Sequence, residues 1–192
     1  MSRIFIAIKL PDEVIRKITA VSQYFQTQLP PEALKWVETE NLHLTLKFLG
    51  DIPEGSLANI EQILTQTVAG QKPFEISVES LGMYPHASQP RVIWLGVQGT
   101  KPIIRLHTEL EKALEGINLE KENRPFNPHL TLARVRQRTS REASHQIGQT
   151  LSEFKVGSLG GFEVRQIYLI ESQLTPQGPI YTTRFTAPLS EV

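Results

Sequence analysis

Two stretches of the chain decide the fold that we expect: residues 41–50 read NLHLTLKFLG, and residues 127–136 read NPHLTLARVR. Each contains the tetrapeptide His-Leu-Thr-Leu, which begins at His43 in the first stretch and at His129 in the second. Leu and Thr are common in strands, and side chains alternate between the two faces of a strand. We therefore predict that His and Thr share one face of each strand, while the two leucines share the other face and pack in the core.

The segments around the two copies follow one another in the same order. A strand at 4–10 and a helix that begins at Pro11 precede the first copy, and a strand at 91–97 and a helix that begins at Pro102 precede the second. This repeat predicts an α+β fold with two lobes related by a pseudo-twofold axis, two antiparallel sheets, outer helices and a central cleft. We expect residues 1–192 to form a single domain of two interleaved lobes, each of which contributes one HxTx strand to the cleft.

Local signals predict the remaining elements. Pro53 is expected to begin the helix that follows the first copy. Thr139 and Glu142 have the spacing of a capping box, which predicts the start of the helix after the second copy. Strands at 162–171 and 180–186 are predicted to end the chain.

The composition is that of an ordinary soluble globular protein. Of 192 residues, 40% are hydrophobic, and the formal net charge is zero, so no overall field directs the chain to nucleic acid or to an acidic membrane. There is no cysteine, which excludes disulfides, thiolate metal sites and cysteine nucleophiles. The sequence has neither the apolar run of a signal peptide nor that of a membrane span. We therefore expect a cytoplasmic monomer that has no membrane partner.

Two facing His-Thr pairs can transfer protons and bind anionic oxygens. The pseudo-twofold axis would place His43 and Thr45 opposite His129 and Thr131. Because an unperturbed imidazole has a pKa of about 6.5, one ring can accept a proton while the other donates one. The hydroxyls can donate hydrogen bonds to anionic oxygens. This arrangement suits in-line attack of water on a strained cyclic phosphodiester without a metal, but it does not tell which imidazole is the acid.

Other interpretations of the motifs remain open at this point. A single HxT on a strand is usually only a partly exposed polar face, so the two copies could mark duplicated core strands with a structural role. A metal site is disfavoured, because zinc takes three or four close ligands and each strand offers one histidine. A two-metal nuclease is also disfavoured, because aspartate occurs only at Asp12 and Asp51.

Arginines close to the second motif are candidates for binding phosphate. Five arginines and no acidic residue lie between Asn123 and Arg141. Arg134 follows the motif closely, Arg124 precedes it, and Arg91 begins another predicted strand. Each can pair with a phosphate group, and the alternative role for each is a solvated strand face or helix start.

Aromatic residues flank both motifs. Phe48 is the candidate for substrate binding among them, because an aromatic ring can stack on a base. Trp36, Tyr84 and Phe126 have the same option, with core packing as the alternative. The three histidines outside the motifs lack the HxT context and are interpreted as non-catalytic: His86, His107 and His145.

With both HxTx motifs in place, the sequence resembles the 2H phosphoesterase superfamily, which is named for its two histidines. More narrowly, five segments resemble the RNA 2′,3′-cyclic phosphodiesterases, also called ThpR, LigT or 2′-5′ RNA ligases. They are FIAIKLP, WVETENLHLTLKFLGDIP, PRVIWLGV, FNPHLTLARV and IYLIESQLTPQGPIY. The resemblance spans nearly the whole chain.

The resemblance implies a bilobal α+β fold with a central cleft and no required metal or cofactor. It implies hydrolysis of a terminal RNA 2′,3′-cyclic phosphate to a 2′-phosphate, and some family members also join tRNA halves through a 2′-5′ linkage. Carried over by motif, His43 is the proton donor to the departing 3′ oxygen, His129 is the base that activates water, and Thr45 and Thr131 hold the phosphate oxygens. Two alternatives stay open: a 2H phosphoesterase for another cyclic or 2′-5′ phosphodiester, and a non-catalytic module that binds RNA ends.

Overall fold

The computed structural model describes residues 2–117, 119, 125–176 and 178–190, which fold into nine strands and four α helices within these ranges. Short 3₁₀ turns at Thr39–Asn41 and Glu54–Ser56 precede β3 and α2, respectively. The elements are β1 (Ser2–Lys9), α1 (Asp12–Gln28), β2 (Leu34–Trp36), β3 (His43–Ile52), α2 (Leu57–Val68), β4 (Phe74–Tyr84), β5 (Val92–Gln98), α3 (Thr100–Glu115), β6 (His129–Val135), α4 (Arg141–Glu153), β7 (Gly160–Val164), β8 (Gln166–Leu174) and β9 (Pro179–Pro188).

The strands form two antiparallel sheets, in the orders β3-β1-β8-β9 and β2-β6-β5-β4-β7. In each sheet the HLTL strand pairs with the strand that precedes it across a helix, β3 with β1 and β6 with β5. The chain crosses between the sheets, because β4 joins the sheet of β6, whereas β8 and β9 return to the sheet of β1. The predicted α+β fold with two antiparallel sheets is confirmed.

The leucine face of each motif packs in the core, as the alternation predicted. Leu44, Leu46, Leu130 and Leu132 are at most 2% exposed. Burial of such a side chain stabilises the fold by about 1.5–3 kcal/mol. The buried leucines therefore hold both motif strands in place against the core. Among the described residues, every helix is too short or too polar to cross a membrane.

The cap of α4 differs from the prediction by one residue. The hydroxyl of Ser140 accepts a hydrogen bond from the backbone N–H of Ala143 at 3.1 Å, so Ser140 is the N-cap. Thr139 Oγ1 instead donates to the carbonyl oxygen of Ala33. The capping box predicted from Thr139 and Glu142 is wrong, because the threonine hydroxyl is used to tie this loop to the segment before β2.

The single strand predicted at 162–171 is two strands in different sheets. β7 pairs with β4, whereas β8 pairs with β1 and β9. The break falls at Arg165, whose carbonyl oxygen accepts a hydrogen bond from the N–H of Leu189. Apolar residues continue on both sides of the break, so hydrophobic patterning does not reveal the change of sheet.

Candidate active site

A β bulge interrupts the first motif strand just after its threonine. Thr45 lies opposite Ala7 of β1, but Lys47 lies opposite Ile6, so Leu46 has no partner. A bulge inserts one residue and reverses the inward and outward alternation beyond it. Lys47 consequently points into the interior beside Leu46 and is only 3% exposed.

The second motif strand has a bulge at the equivalent position. Thr131 lies opposite Trp94 of β5, and Ala133 lies opposite Ile93, so Leu132 has no partner. The unpaired residue is again the second leucine of HLTL. Ala133 is buried in the same way as its counterpart in β3.

The paired bulges bring a third side chain from each strand to the same face as His and Thr. Strict alternation would bury the residue five positions after each histidine, but the bulge turns it outward. These residues are Phe48, which is 66% exposed, and Arg134, which is also exposed. Both were candidates from the sequence, and both line the cavity that the motifs face.

The two motifs face one cavity of about 300 Å³, hereafter the two-motif cavity. His43 and Thr45 come from one sheet, and His129 and Thr131 come from the other. β3 and β6 contact each other. Residues 35–38, Asn41 and the start of β9 complete its wall. The structure thus brings together all four motif residues that the sequence singled out.

Both histidine rings are held in the same way. The Nδ1–H of His43 donates to the carbonyl oxygen of Asn41 at 2.7 Å, and the Nδ1–H of His129 donates to the carbonyl oxygen of Asn127 at 2.8 Å. A carbonyl oxygen only accepts, so this contact fixes the proton on Nδ1 in the neutral ring. Nε2 is then the nitrogen that can exchange a proton with a ligand in each ring.

The surroundings of His43 are aromatic and largely dry. Its ring centroid lies 4.8 Å from that of Phe5 and 5.3 Å from that of Tyr181. Burial lowers the pKa of His43 below the ordinary value of 6.5, and the hydrogen bond to the carbonyl oxygen of Asn41 opposes this shift. The neutral ring is therefore favoured in the free protein.

His129 has a different aromatic setting, formed within its own sheet. Its ring meets Tyr84 edge-on at 5.4 Å and Trp94 at 6.1 Å. These two rings stack on each other at 5.0 Å. Gly82 makes this stack possible, because a Cβ at that position would overlap the ring of Trp94.

Tyr181 and Asn41 belong to the site, although the sequence interpretation did not select them. Burial raises the pKa of Tyr181, while the charges of Arg134 and Arg3 act in the opposite direction. Arg134 and Tyr181 line the same cavity from different sheets. An available signal for Asn41 is its position two residues before the histidine, which Asn127 repeats in the second motif.

Arg91, another arginine candidate, lies elsewhere. Arg91 lines a separate small cavity of about 40 Å³ with Arg136 and Arg141. It does not line the two-motif cavity. Arg124 lies outside the described residues.

The remaining aromatic candidates and histidines lie in different parts of the structure. Trp36 lines the two-motif cavity, as does Phe48. Phe126 stacks on His107 with a ring separation of 4.0 Å. His107 and His145 lie on α3 and α4, as predicted from the sequence.

A buried ion pair lies behind the first motif. Lys47 Nζ is 2.6 Å from Glu111 Oε1 of α3, and the two side chains are 3% and 4% exposed. His107 Nε2 is 3.6 Å from the same carboxylate oxygen. The bulge in β3 therefore places a cation in the interior, where a carboxylate from the other half of the chain meets it.

The site has the groups needed for proton transfer to and from a bound phosphate. It offers two imidazoles that can exchange protons at Nε2, two hydroxyls that can donate hydrogen bonds, and the fixed charge of Arg134. In the part of the chain that the structure describes, no three His, Asp or Glu side chains group as a metal site would require.

The chain belongs to the 2′-5′ RNA ligase superfamily, whose family model matches residues 10–175. It is 38% identical to the RNA 2′,3′-cyclic phosphodiesterase of Methanothermobacter thermautotrophicus, over 94% of this chain and 95% of that protein. It is 31% identical to the protein of the same name from Thermotoga maritima, over 93% of this chain and 91% of that protein.

Solved structures share the fold over nearly the full length. A protein of Thermus thermophilus matches with a TM-score of 0.75 and 27% identity, over 97% of each chain. Escherichia coli LigT in complex with 3′-AMP matches with a TM-score of 0.77 and 25% identity, over 98% of each chain.

Proposed function

We propose that the two-motif cavity hydrolyses the 2′,3′-cyclic phosphate at an RNA end to a 2′-phosphate, by acid–base catalysis between two histidines and without a metal. At the level of the family, the chain is an RNA 2′,3′-cyclic phosphodiesterase, because relatives at 31–38% identity over most of the chain carry that name. The observation that carries the mechanism is the pair of identically held imidazoles at one cavity.

In the proposed reaction, Nε2 of His129 takes a proton from water as the water oxygen attacks phosphorus. The bond from phosphorus to the 3′ oxygen breaks, and Nε2–H of His43 gives its proton to that oxygen. The hydroxyls of Thr45 and Thr131 donate to the non-bridging oxygens, and Arg134 offsets their charge. The assignment of acid and base follows the family resemblance, because both rings are held alike.

The lowered pKa of His43 is compatible with its role as the acid. In the free protein, burial favours the neutral ring. An anionic phosphodiester beside the ring favours the imidazolium, since an opposite charge stabilises the charged form. Substrate binding would thus favour uptake of a proton from solvent at Nε2 of His43, and this is the proton that the departing 3′ oxygen receives.

Ligation would use the same step with another nucleophile. A 5′-hydroxyl of a second RNA in the position of the water would attack phosphorus, and the 3′ oxygen would again leave with the proton of His43. The product would be a 2′-5′ linkage. RNA ends such as tRNA fragments are therefore the expected partners.

The test is turnover of a short RNA that ends in a 2′,3′-cyclic phosphate, in the presence of EDTA, with identification of the product. We expect a 2′-phosphate, and a rate that falls about 10²–10⁴-fold in His43→Ala and in His129→Ala. His145→Ala is the matched control, because His145 is an exposed residue of α4 outside the cavity. Turnover that requires added metal would contradict the mechanism, and a 3′-phosphate product would contradict the proposed leaving oxygen.

A further inference from the structure

We propose that a second, polar groove beside the two-motif cavity binds the RNA strand on the 5′ side of the reacting end. This inference rests on the proposed function. The groove, hereafter the side groove, has a volume of about 700 Å³. Residues 35–38 line both the side groove and the two-motif cavity. A chain that leaves the cavity over this shared wall therefore enters the side groove.

One face of α1 forms a polar side of the groove. Four polar residues of this helix line the groove: Thr19, Ser22, Gln23 and Gln26. Their spacing of i, i+3, i+4 and i+7 places them in one stripe along the helix. The exposed amide groups of Gln23 and Gln26 are uncharged and can both donate and accept hydrogen bonds, whereas Thr19 Oγ1 donates within the helix to the carbonyl oxygen of Ile15 at 2.9 Å. Such groups suit ribose hydroxyls and base edges, the features that an RNA strand displays.

The charges of the groove favour a ligand that carries phosphates. Lys35 and Arg136 line it, and Glu38 is the acidic residue among the lining side chains. Arg136 Nε donates to the carbonyl oxygen of Leu34 at 3.2 Å, which holds the guanidinium beside β2. Arginine and lysine pair with phosphate oxygens, and cationic grooves track the backbone of single-stranded nucleic acids.

Trp36 lies in the wall that separates the two spaces. It is half-buried and lines both of them. An aromatic ring in this position offers a surface on which a base can stack. The reacting phosphate is at the 3′ end of the RNA, so the nucleotides that pass Trp36 into the groove lie on its 5′ side. The structure thus points to an oligonucleotide as the preferred substrate over a single nucleoside cyclic phosphate.

The experiment compares a nucleoside 2′,3′-cyclic phosphate with a tetranucleotide that has the same 3′-terminal group. We expect the native protein to have a kcat/KM at least about tenfold higher for the tetranucleotide. Gln23→Glu and Gln26→Glu each add a negative charge to the groove and should remove about tenfold of this preference through KM, a change of about 1.4 kcal/mol. Turnover of the nucleoside cyclic phosphate should not change.

Gln28→Glu is the matched control, because Gln28 lies on the same helix but does not line the groove. It should leave turnover of both substrates unchanged. Equal kcat/KM for the two substrates, or equal effects of all three substitutions, would overturn the groove while leaving the proposed hydrolysis intact.

A binding measurement separates failure of the groove from failure of the proposed function. If neither substrate is hydrolysed, the proposed function fails, and fluorescence anisotropy of a labelled tetranucleotide ending in a 2′-phosphate still tests the groove. Weaker binding by Gln26→Glu than by Gln28→Glu would support the groove. Equal binding by these two variants would overturn it.

Discussion

The ring of His43 contacts the rings of Phe5 and Tyr181, which also contact each other, and its burial makes proton uptake sensitive to what occupies the cavity. We expect His43 to titrate below 6.5 in the free protein, because burial lowers its pKa. A nucleoside 2′-phosphate should raise this pKa, since its charge stabilises the imidazolium. Titration of the ring protons by NMR measures both values. The ring protons of His145, which is exposed on α4 outside the cavity, serve as the control signal.

The same shift predicts a pH dependence of stability. A histidine whose pKa is lower in the folded than in the unfolded protein binds fewer protons when folded. The stabilising contribution of the neutral His43 ring to the free energy of unfolding is therefore fully present above pH 6.5. It is lost as the pH falls through the lower pKa that His43 has in the folded protein. We expect His43→Gln to lose less free energy of unfolding between pH 7.5 and pH 5 than the native protein loses. Urea unfolding at both pH values measures the difference, and equal losses would contradict the prediction.

At the residue scale, the sequence predicts the groups that repeat and misses those that do not. His43, Thr45 and their counterparts in the second motif follow from a duplicated pattern on alternating strand positions. Tyr181 has no repeated neighbour and reaches His43 only because β9 pairs with β8 in the sheet of β1. Such a long-range pairing leaves no local signal around the tyrosine.

At the scale of the element, the two bulges explain why strict alternation predicts the wrong strand face for the side chains that follow each HLTL. Without them, Lys47 and Ala133 would face the cavity, and Phe48 and Arg134 would be buried. A bulge has no fixed side-chain signature, so hydrophobic patterning does not reveal it. In β3 the pattern favours the opposite arrangement, because strict alternation would expose Lys47 and bury Phe48.

We expect the buried Lys47 and Glu111 to contribute to the free energy of unfolding mainly through their interaction with each other. Removal of one partner leaves a charge in the interior, which costs about 3–5 kcal/mol, whereas an apolar replacement of both is often close to neutral. We expect Lys47→Met and Glu111→Leu each to destabilise strongly, and the double variant to lose less than the sum. Denaturant unfolding of the three variants gives the coupling. Additive losses would show that the two side chains act independently.

At the scale of the molecule, two sheets meet at one cavity, and each supplies one motif. The repeat of strand, helix and HLTL strand predicts this arrangement, because a duplicated unit tends to place its copies symmetrically. The exchange of strands between the sheets was not predictable in the same way. β4 pairs with β7, and β8 returns to β1, through contacts between residues far apart in the sequence.

The position of β1 inside its sheet has a consequence for biosynthesis. This strand is synthesised well before one of its partners, β8, which begins only at Gln166. Until then, one edge of an apolar strand has no partner, and such edges pair readily with other chains. We expect a chain that ends at Arg165 to aggregate on expression, whereas the full chain remains soluble, as sedimentation of lysates would measure. Premature termination late in translation would thus yield aggregation-prone protein, because β8 would not be there to pair with the edge of β1.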